Sequence, residues 1–272
     1  MTNWRIDTHA HCFLRNLPLA PARRYTPAYD AALQTYLARL DRAGLSHGVL
    51  IQPSFLGTDN SYLVDSLRQA AGRLRGVVML PPECEEETIH ALDAAGVVGV
   101  RLNLIGLDSP DLSAPVWRRH LRLLADLGWQ VEIQSEARRL PALLPFLWEM
   151  GLTVVVDHFA RPDVALGIDD PGFRALLAQA RQGDVWIKLS GAYRLGDQGG
   201  DMAGQIAPLL LDAFGPDRLL WGSDWPHTQF ESAELDDMGL GLLSRWLPDA
   251  ALRRSILGDN AARLFRFQED KS

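Results

Sequence analysis

A small set of residues in this chain has the types and positions from which a reaction could be built. His9 and His11 stand one residue apart at the end of a short apolar run, Ile6-Asp7-Thr8-His9-Ala10-His11. Alternate side chains of an extended strand share a face, so both imidazoles are expected to project together, with Asp7 behind them on the same side. His158 closes a second apolar run over 152–158, and Asp224 follows a third over 219–223. Imidazole and carboxylate suit zinc or a similar divalent ion, which makes His9, His11, His158 and Asp224 a candidate metal site. The same four groups could also work without metal, the imidazoles polarising a carbonyl while Asp224 takes a proton from water. Spacing alone does not separate the two cases.

Arginines follow the same kind of apolar run. Arg101, Arg161 and Arg194 come at or just after the runs 97–104, 152–158 and 185–190. Guanidinium forks pair with carboxylate or sulfonate groups, so these three point to an anionic substrate. The plainer reading gives each a structural ion pair. Ser54, Asn103 and Gln134 lie at further run ends, while Tyr25 and His227 lie in loops. All five are candidates for lining a pocket. His90 and His120 sit in helical patterns and His47 starts a strand, and we assign them no chemistry.

These residues need a frame that brings run ends together. Apolar runs over 6–11, 47–53, 74–80, 97–104, 129–134, 152–158, 185–190 and 219–223 read as strands. Helical spacing over 31–43, 61–71, 85–95, 117–127, 140–150, 173–181 and 202–214 falls between them, with further helices near 235–246, 250–257 and 261–265. Near-continuous apolar strands belong to parallel sheets buried on both faces. Eight strand–helix units therefore predict a (β/α)₈ TIM barrel with extra C-terminal helices, one domain over 1–272. No Gly-x-Gly-x-x-Gly follows the first strand, which argues against a dinucleotide-binding open sheet. The barrel explains the polar pattern, because the loops after its strands build the active site. The proline-rich stretch 14–29 reads as a long loop beside that site.

Composition narrows the partners. The net charge of −7 leaves no basic footprint for nucleic acid or an anionic membrane. No apolar run is long enough to span a bilayer, and the N-terminus lacks the build of a signal peptide. Cys12 and Cys84 form neither a metal spacing nor a disulfide framework, which suits a reduced, cytoplasmic protein. The expected partner is a small molecule, with a homo-oligomer left open.

The segments IDTHAH, GVRLN at 99–103, DHFARP at 157–162, KLSGAYR at 188–194, WGSDWPH at 221–227 and DNAARLF at 259–265 resemble, in this order and over the whole chain, the amidohydrolase superfamily. The similar branch contains 2-pyrone-4,6-dicarboxylate lactonases, sulfomuconolactone hydrolases and sugar lactonases. The resemblance implies a TIM-barrel hydrolase opening an anionic lactone. It gives Asp224 the role of general base, with His9, His11 and His158 holding or polarising the carbonyl. It also implies either no required cofactor or one divalent metal, zinc or manganese. Gln134 stands where many metal-dependent relatives carry histidine, and the segment Leu104-Ile105-Gly106-Leu107 lacks an arginine that the dicarboxylate enzymes carry after GVR. Two other readings are weighed against the lactonase: a metal-dependent decarboxylase of the same superfamily, and a non-catalytic barrel.

Overall fold

The computed structural model describes residues 4–233 and 239–268. Eight parallel strands stand in sequence order around one sheet: β1 (Ile6–Ala10), β2 (His47–Ile51), β3 (Leu74–Val78), β4 (Val97–Asn103), β5 (Gln130–Gln134), β6 (Val154–Val156), β7 (Val185–Leu189) and β8 (Leu219–Trp221). Asp224 N donates to His9 O and His11 N donates to Trp225 O, and these bonds close β8 back onto β1. The helices are α1 (Leu33–Arg42), α2 (Ser61–Gln69), α3 (Glu86–Ala94), α4 (Pro115–Asp126), α5 (Leu140–Glu149), α6 (Pro171–Gln179), α7 (Gly199–Phe214), α8 (Leu240–Trp246), α9 (Ala250–Leu257) and α10 (Asp259–Leu264). Of the helix expected over 235–246, residues 234–238 lie outside the described residues. No helix among the described residues is long and apolar enough to cross a membrane.

Two apolar layers explain why the strands read as continuous. Val100, Ile133, Val156, Ile187 and Trp221 pack outward with the helices, while Ile6, Val49, Ile51, Val77, Val98, Val155, Trp186 and Leu220 form a separate inner cluster. Ala261, Ala262, Phe265 and Phe267, in and just after α10, join the inner cluster. The lower barrel is therefore dry. β5 contributes no apolar residue to that cluster and carries the buried Glu132 instead.

One local expectation is overturned. The pairing of β1 with β2 shifts register between Asp7 and Ala10, so a bulge breaks the alternation. Asp7 does not share the face of His9 and His11. Its carboxylate accepts from Tyr36 OH of α1 at 3.0 Å and from Ser223 Oγ at 2.6 Å, while the His9 ring faces Glu132, Asp157 and Asp224. Burial pushes the Asp7 carboxyl up to about 6, against its donors from Ser223, His9 and Tyr36.

The long loop 14–30 leaves β1 and is closed at its base by paired bonds between Phe13 and Ala31, N to O at 2.9 Å both ways. Its middle is pinned to the loop after β2 by Ala20 N donating to Phe55 O at 2.8 Å. Tyr25 OH donates to Glu231 in the loop after β8. These ties hold the loop beside the C-terminal ends of the strands.

Candidate active site at the barrel mouth

Asp224 is buried and anchored through one oxygen. Arg194 Nε donates to Oδ2 at 2.6 Å and Tyr193 OH at 2.7 Å. The other oxygen, Oδ1, has no hydrogen-bond partner and faces His9 Nε2 at 3.7 Å and His11 Nε2 at 3.8 Å. Burial works against the charged form, yet Arg194 beside it holds the Asp224 carboxyl well below the usual carboxylate range.

The three histidines differ in what fixes them. His11 Nδ1 lies 2.7 Å from Ile51 O, and a carbonyl only accepts, so Nδ1 carries the proton and a neutral ring turns an Nε2 lone pair toward Asp224. Burial pushes His11 down to about 4. His158 Nδ1 bonds with Ser190 Oγ at 2.9 Å, and burial pushes this ring down to about 3. His9 Nδ1 meets Lys188 Nζ at 3.2 Å, Asp157 Oδ1 at 3.3 Å and Glu132 Oε1 at 3.4 Å. Burial keeps His9 well below the ordinary histidine range. The Nε2 atoms of His9 and His158 lack hydrogen-bond partners, as does Asp224 Oδ1. Buried polar atoms are rarely left so, and unpaired ones concentrate where a ligand binds.

Local backbone puts these groups in place at a conformational cost. His158, Phe159, Ala160 and Arg161 all have left-handed φ, 52°, 55°, 62° and 46°, and Asp224 has φ 58°. Such non-glycine residues cost about 1 kcal/mol each. Phe159 repays part of this by packing edge-on against Trp246, ring centroids 5.0 Å apart. Two glycines make room. A Cβ on Gly191 would lie 2.7 Å from Asp224 Oδ2, and one on Gly222 would lie 2.6 Å from the His9 Cβ.

Beneath His9 lies a buried ionic layer of Glu132, Asp157 and Lys188, to which sequence assigns no role, joined by Arg101 and Gln134, which sequence places against the substrate. Lys188 Nζ donates to Glu132 Oε2 at 2.5 Å, and Arg101 Nη2 donates to Asp157 Oδ2 at 2.9 Å and to Gln134 Oε1 at 2.8 Å. Burial raises the Glu132 carboxyl to about 8, whereas burial is outweighed at Asp157, which His9, Arg101 and Lys188 hold well below its usual range. The available signal was a charged residue inside an otherwise apolar strand, Glu132 in β5 and Lys188 in β7, since such residues are seldom buried unless paired. Asp157 and Asp224 are paired with Arg101 and Arg194, while Glu132, whose acid form burial favours, takes a hydrogen bond from Lys188.

Above this layer a cavity of about 150 Å³ opens at the mouth. Ser54, Asn103, Gln134, Arg101, Arg161 and Arg194 line it with His11, and Arg24 joins them from the long loop. The arginines are not equivalent. Arg101 and Arg194 spend their charge on Asp157 and Asp224. Arg161 has no carboxylate within ion-pair distance among the described residues, and its Nε lacks a hydrogen-bond partner. Tyr25 is not in the lining: its hydroxyl is taken by Glu231 and its ring packs on Phe55. His227 also stands back, buried behind Tyr193, whose hydroxyl lies 3.1 Å from His227 Nδ1.

The donor atoms suit one divalent ion. One ligand atom each from His9, His11 and Asp224 lie within 4.8 Å of one another, as do atoms from His9, Asp157 and His158. The unpaired His9 Nε2 and Asp224 Oδ1 and the backbone-oriented His11 are what a metal site requires.

An eight-stranded parallel barrel whose mouth gathers imidazoles and a buried aspartate from the ends of β1, β6 and β8 defines the class as a TIM-barrel enzyme scaffold. The chain belongs to the amidohydrolase family, whose model, described as Amidohydrolase, matches residues 6–267. A solved structure from Acinetobacter baumannii, a probable 2-pyrone-4,6-dicarboxylic acid hydrolase with citric acid bound, is 38% identical. It superposes with a TM-score of 0.94, covering 98% of this chain and 100% of that one. A 2-pyrone-4,6-dicarboxylate hydrolase of Comamonas testosteroni is 35% identical over 96% of this chain and 89% of its own. A 4-sulfomuconolactone hydrolase of Rhizobium radiobacter is 35% identical over 95% and 89%. Decarboxylases of known structure are 12–14% identical, a likeness of fold alone.

Proposed function

We propose that this protein is a hydrolase that opens a lactone carrying an anionic group. The observation that carries the reading is Asp224, held on one oxygen by Arg194 and Tyr193, with its free oxygen facing two imidazoles beneath a cationic cavity. The relatives above 30% identity hydrolyse a pyrone dicarboxylate and a sulfonated lactone by their names, which fits a mouth whose fixed charge is in surplus at Arg161 and Arg24.

In the reaction, Asp224 Oδ1 takes a proton from water, and the water oxygen bonds to the lactone carbonyl carbon. Lys188 donating to His9 Nδ1, and Ser190 donating to His158 Nδ1, leave the ring protons on the Nε2 atoms that face the site. Those N–H groups stabilise the oxyanion. The ring C–O bond then breaks, the ring oxygen takes the proton back from Asp224, and a carboxylic acid and an alcohol or enol result. Arg161 holds the anionic substituent. A divalent ion would be held by His11 and Asp224, and by His9 Nε2 only with the His9 proton on Nδ1, where Asp157 Oδ1 at 3.3 Å would accept it; such an ion would polarise the carbonyl and acidify water. In our reading that ion is dispensable, because the imidazole N–H groups serve as the oxyanion donors. The two cysteines are free, in keeping with a reducing, cytoplasmic setting.

The test is a panel of carboxylated, sulfonated and neutral lactones, with and without chelator. Asp224→Asn should lower kcat by about 10²–10⁴-fold while circular dichroism stays native, the range expected for loss of a general base. Chelated protein should keep its rate within about twofold, since the oxyanion donors are imidazoles. Full activity in Asp224→Asn would sink the base assignment. Release of carbon dioxide from a carboxylated aromatic substrate would favour the decarboxylase reading instead.

A further inference from the structure

We infer that Arg24, delivered by the long loop after β1, is a specificity-determining residue that binds a second anionic group of the substrate at the outer rim of the cavity. The inference rests on the lactonase reading for its substrate and on independent geometry for its site. Arg24 Nη2 donates to Asn103 Oδ1 at 3.2 Å, so the guanidinium of this exposed side chain reaches the cavity lining while remaining open to solvent at the rim. No carboxylate among the described residues lies within ion-pair distance of it. Glu136, which attracts it from further off, is engaged by Arg139 at 3.3 Å.

The loop is built to hold the side chain there. Arg23 Nε donates to Thr26 Oγ1 at 2.8 Å, and the flanking Tyr25 hydroxyl donates to Glu231, so the side chains on both sides of Arg24 are engaged. The Arg24 stem runs over Gly106, where a Cβ would stand 3.7 Å from its Cδ. The segment Leu104-Ile105-Gly106-Leu107 offers no cation of its own at this rim. Burial and the neighbouring Arg101 both disfavour the charged form of Arg24, as expected where positive groups are brought close together. Arg161 enters the same cavity from the turn after β6, so two uncommitted guanidinium groups flank it from different loops. A ring bearing anionic groups on both sides would meet one at each.

The test compares wild type, Arg24→Met and Arg161→Met in binding benzoate and benzene-1,3-dicarboxylate by calorimetry, alongside kcat/KM on lactones with one and two carboxylates. Wild type should prefer the dicarboxylate by about tenfold or more, the worth of one charge-assisted contact. Arg24→Met should bring that ratio near one and leave benzoate affinity unchanged, with Arg24→Lys recovering part of the preference. Arg161→Met should weaken both ligands. An unchanged ratio in Arg24→Met, an equal loss for both ligands, or a wild-type ratio near one overturns the assignment. If wild type opens no lactone, the proposed function fails, and the binding ratio still decides Arg24.

Discussion

Asp224 can serve as a base because its two oxygens live in different surroundings. Oδ2 is saturated by Arg194 and Tyr193, which keeps the group ionised, and Oδ1 is left to act. The neighbouring imidazoles are neutral at physiological pH for the opposite reason: burial, with His11 down to about 4 and His158 to about 3. The sign follows directly. A lowered histidine stays neutral until pH falls through its new value, and Asp224, held well below the usual carboxylate range by Arg194, stays charged through the neutral and mildly acid range. The catalytic set should therefore be in its working state from about pH 5 upward, and kcat/KM should be flat between about pH 5 and 7, with no limb near the ordinary histidine value and any change nearer pH 8, where Glu132 beside His9 ionises. A rate profile that falls off with a midpoint near 6.5 would contradict the closed, neutral site. At this scale the sequence was informative where types were unusual for their position: His9, His11, His158 and Asp224 stand at strand ends and do converge. It was uninformative about pairing. Nothing in one dimension told that Arg101 and Arg194 face carboxylates while Arg161 does not, or that Arg24 reaches in from a loop, because those facts depend on which loops meet across the barrel.

Elements were legible because their periods are strong, and their ends were not. Each expected strand and helix among the described residues is present, displaced by a few residues at its termini. β6 stops at Val156, since the next residues enter a left-handed turn that no apolar pattern encodes. The bulge in β1 is the same kind of case: a single register shift sends Asp7 to α1 and keeps His9 in the site. Strain of this sort is tolerated where it positions a functional group, and should be removable where it does not. Ala71 provides the contrast. It is exposed, follows the C-terminus of α2 and has φ 48° with no contact to the site. Glycine carries no penalty in that conformation, so Ala71→Gly should stabilise the fold by up to about 1 kcal/mol, raising Tm by about 2–4 °C. The usual effect of a new glycine is a loss, so a lowered Tm at unchanged kcat would show that the left-handed turn is not maintained in solution.

Across the whole molecule the barrel works as a vertical sequence of environments: an apolar plug below, a buried ionic layer in the middle, and a cation-rich mouth above. The plug is supplied by the end of the chain. Phe265 is fully buried in the inner cluster with Ile6, Val49 and Leu220, and Lys188 Nζ stands 5.7 Å over its ring, so this one phenyl separates the ionic layer from the barrel floor. Phe267 extends the seal to Trp4, ring centroids 6.2 Å apart, which ties the last described segment to the residues just before β1. Removing the Phe265 ring leaves a cavity under Lys188 and exposes the ion layer to water. Phe265→Ala should cost about 3–5 kcal/mol of stability, read as a lower denaturant midpoint. Because the mouth lies at the opposite end of the strands, KM should stay unchanged, and any effect should fall on kcat through looser placement of Lys188 and His9. A variant with native stability would mean that the C-terminal segment does not seal the barrel. A raised KM at native kcat would mean instead that the layers are mechanically coupled from floor to rim.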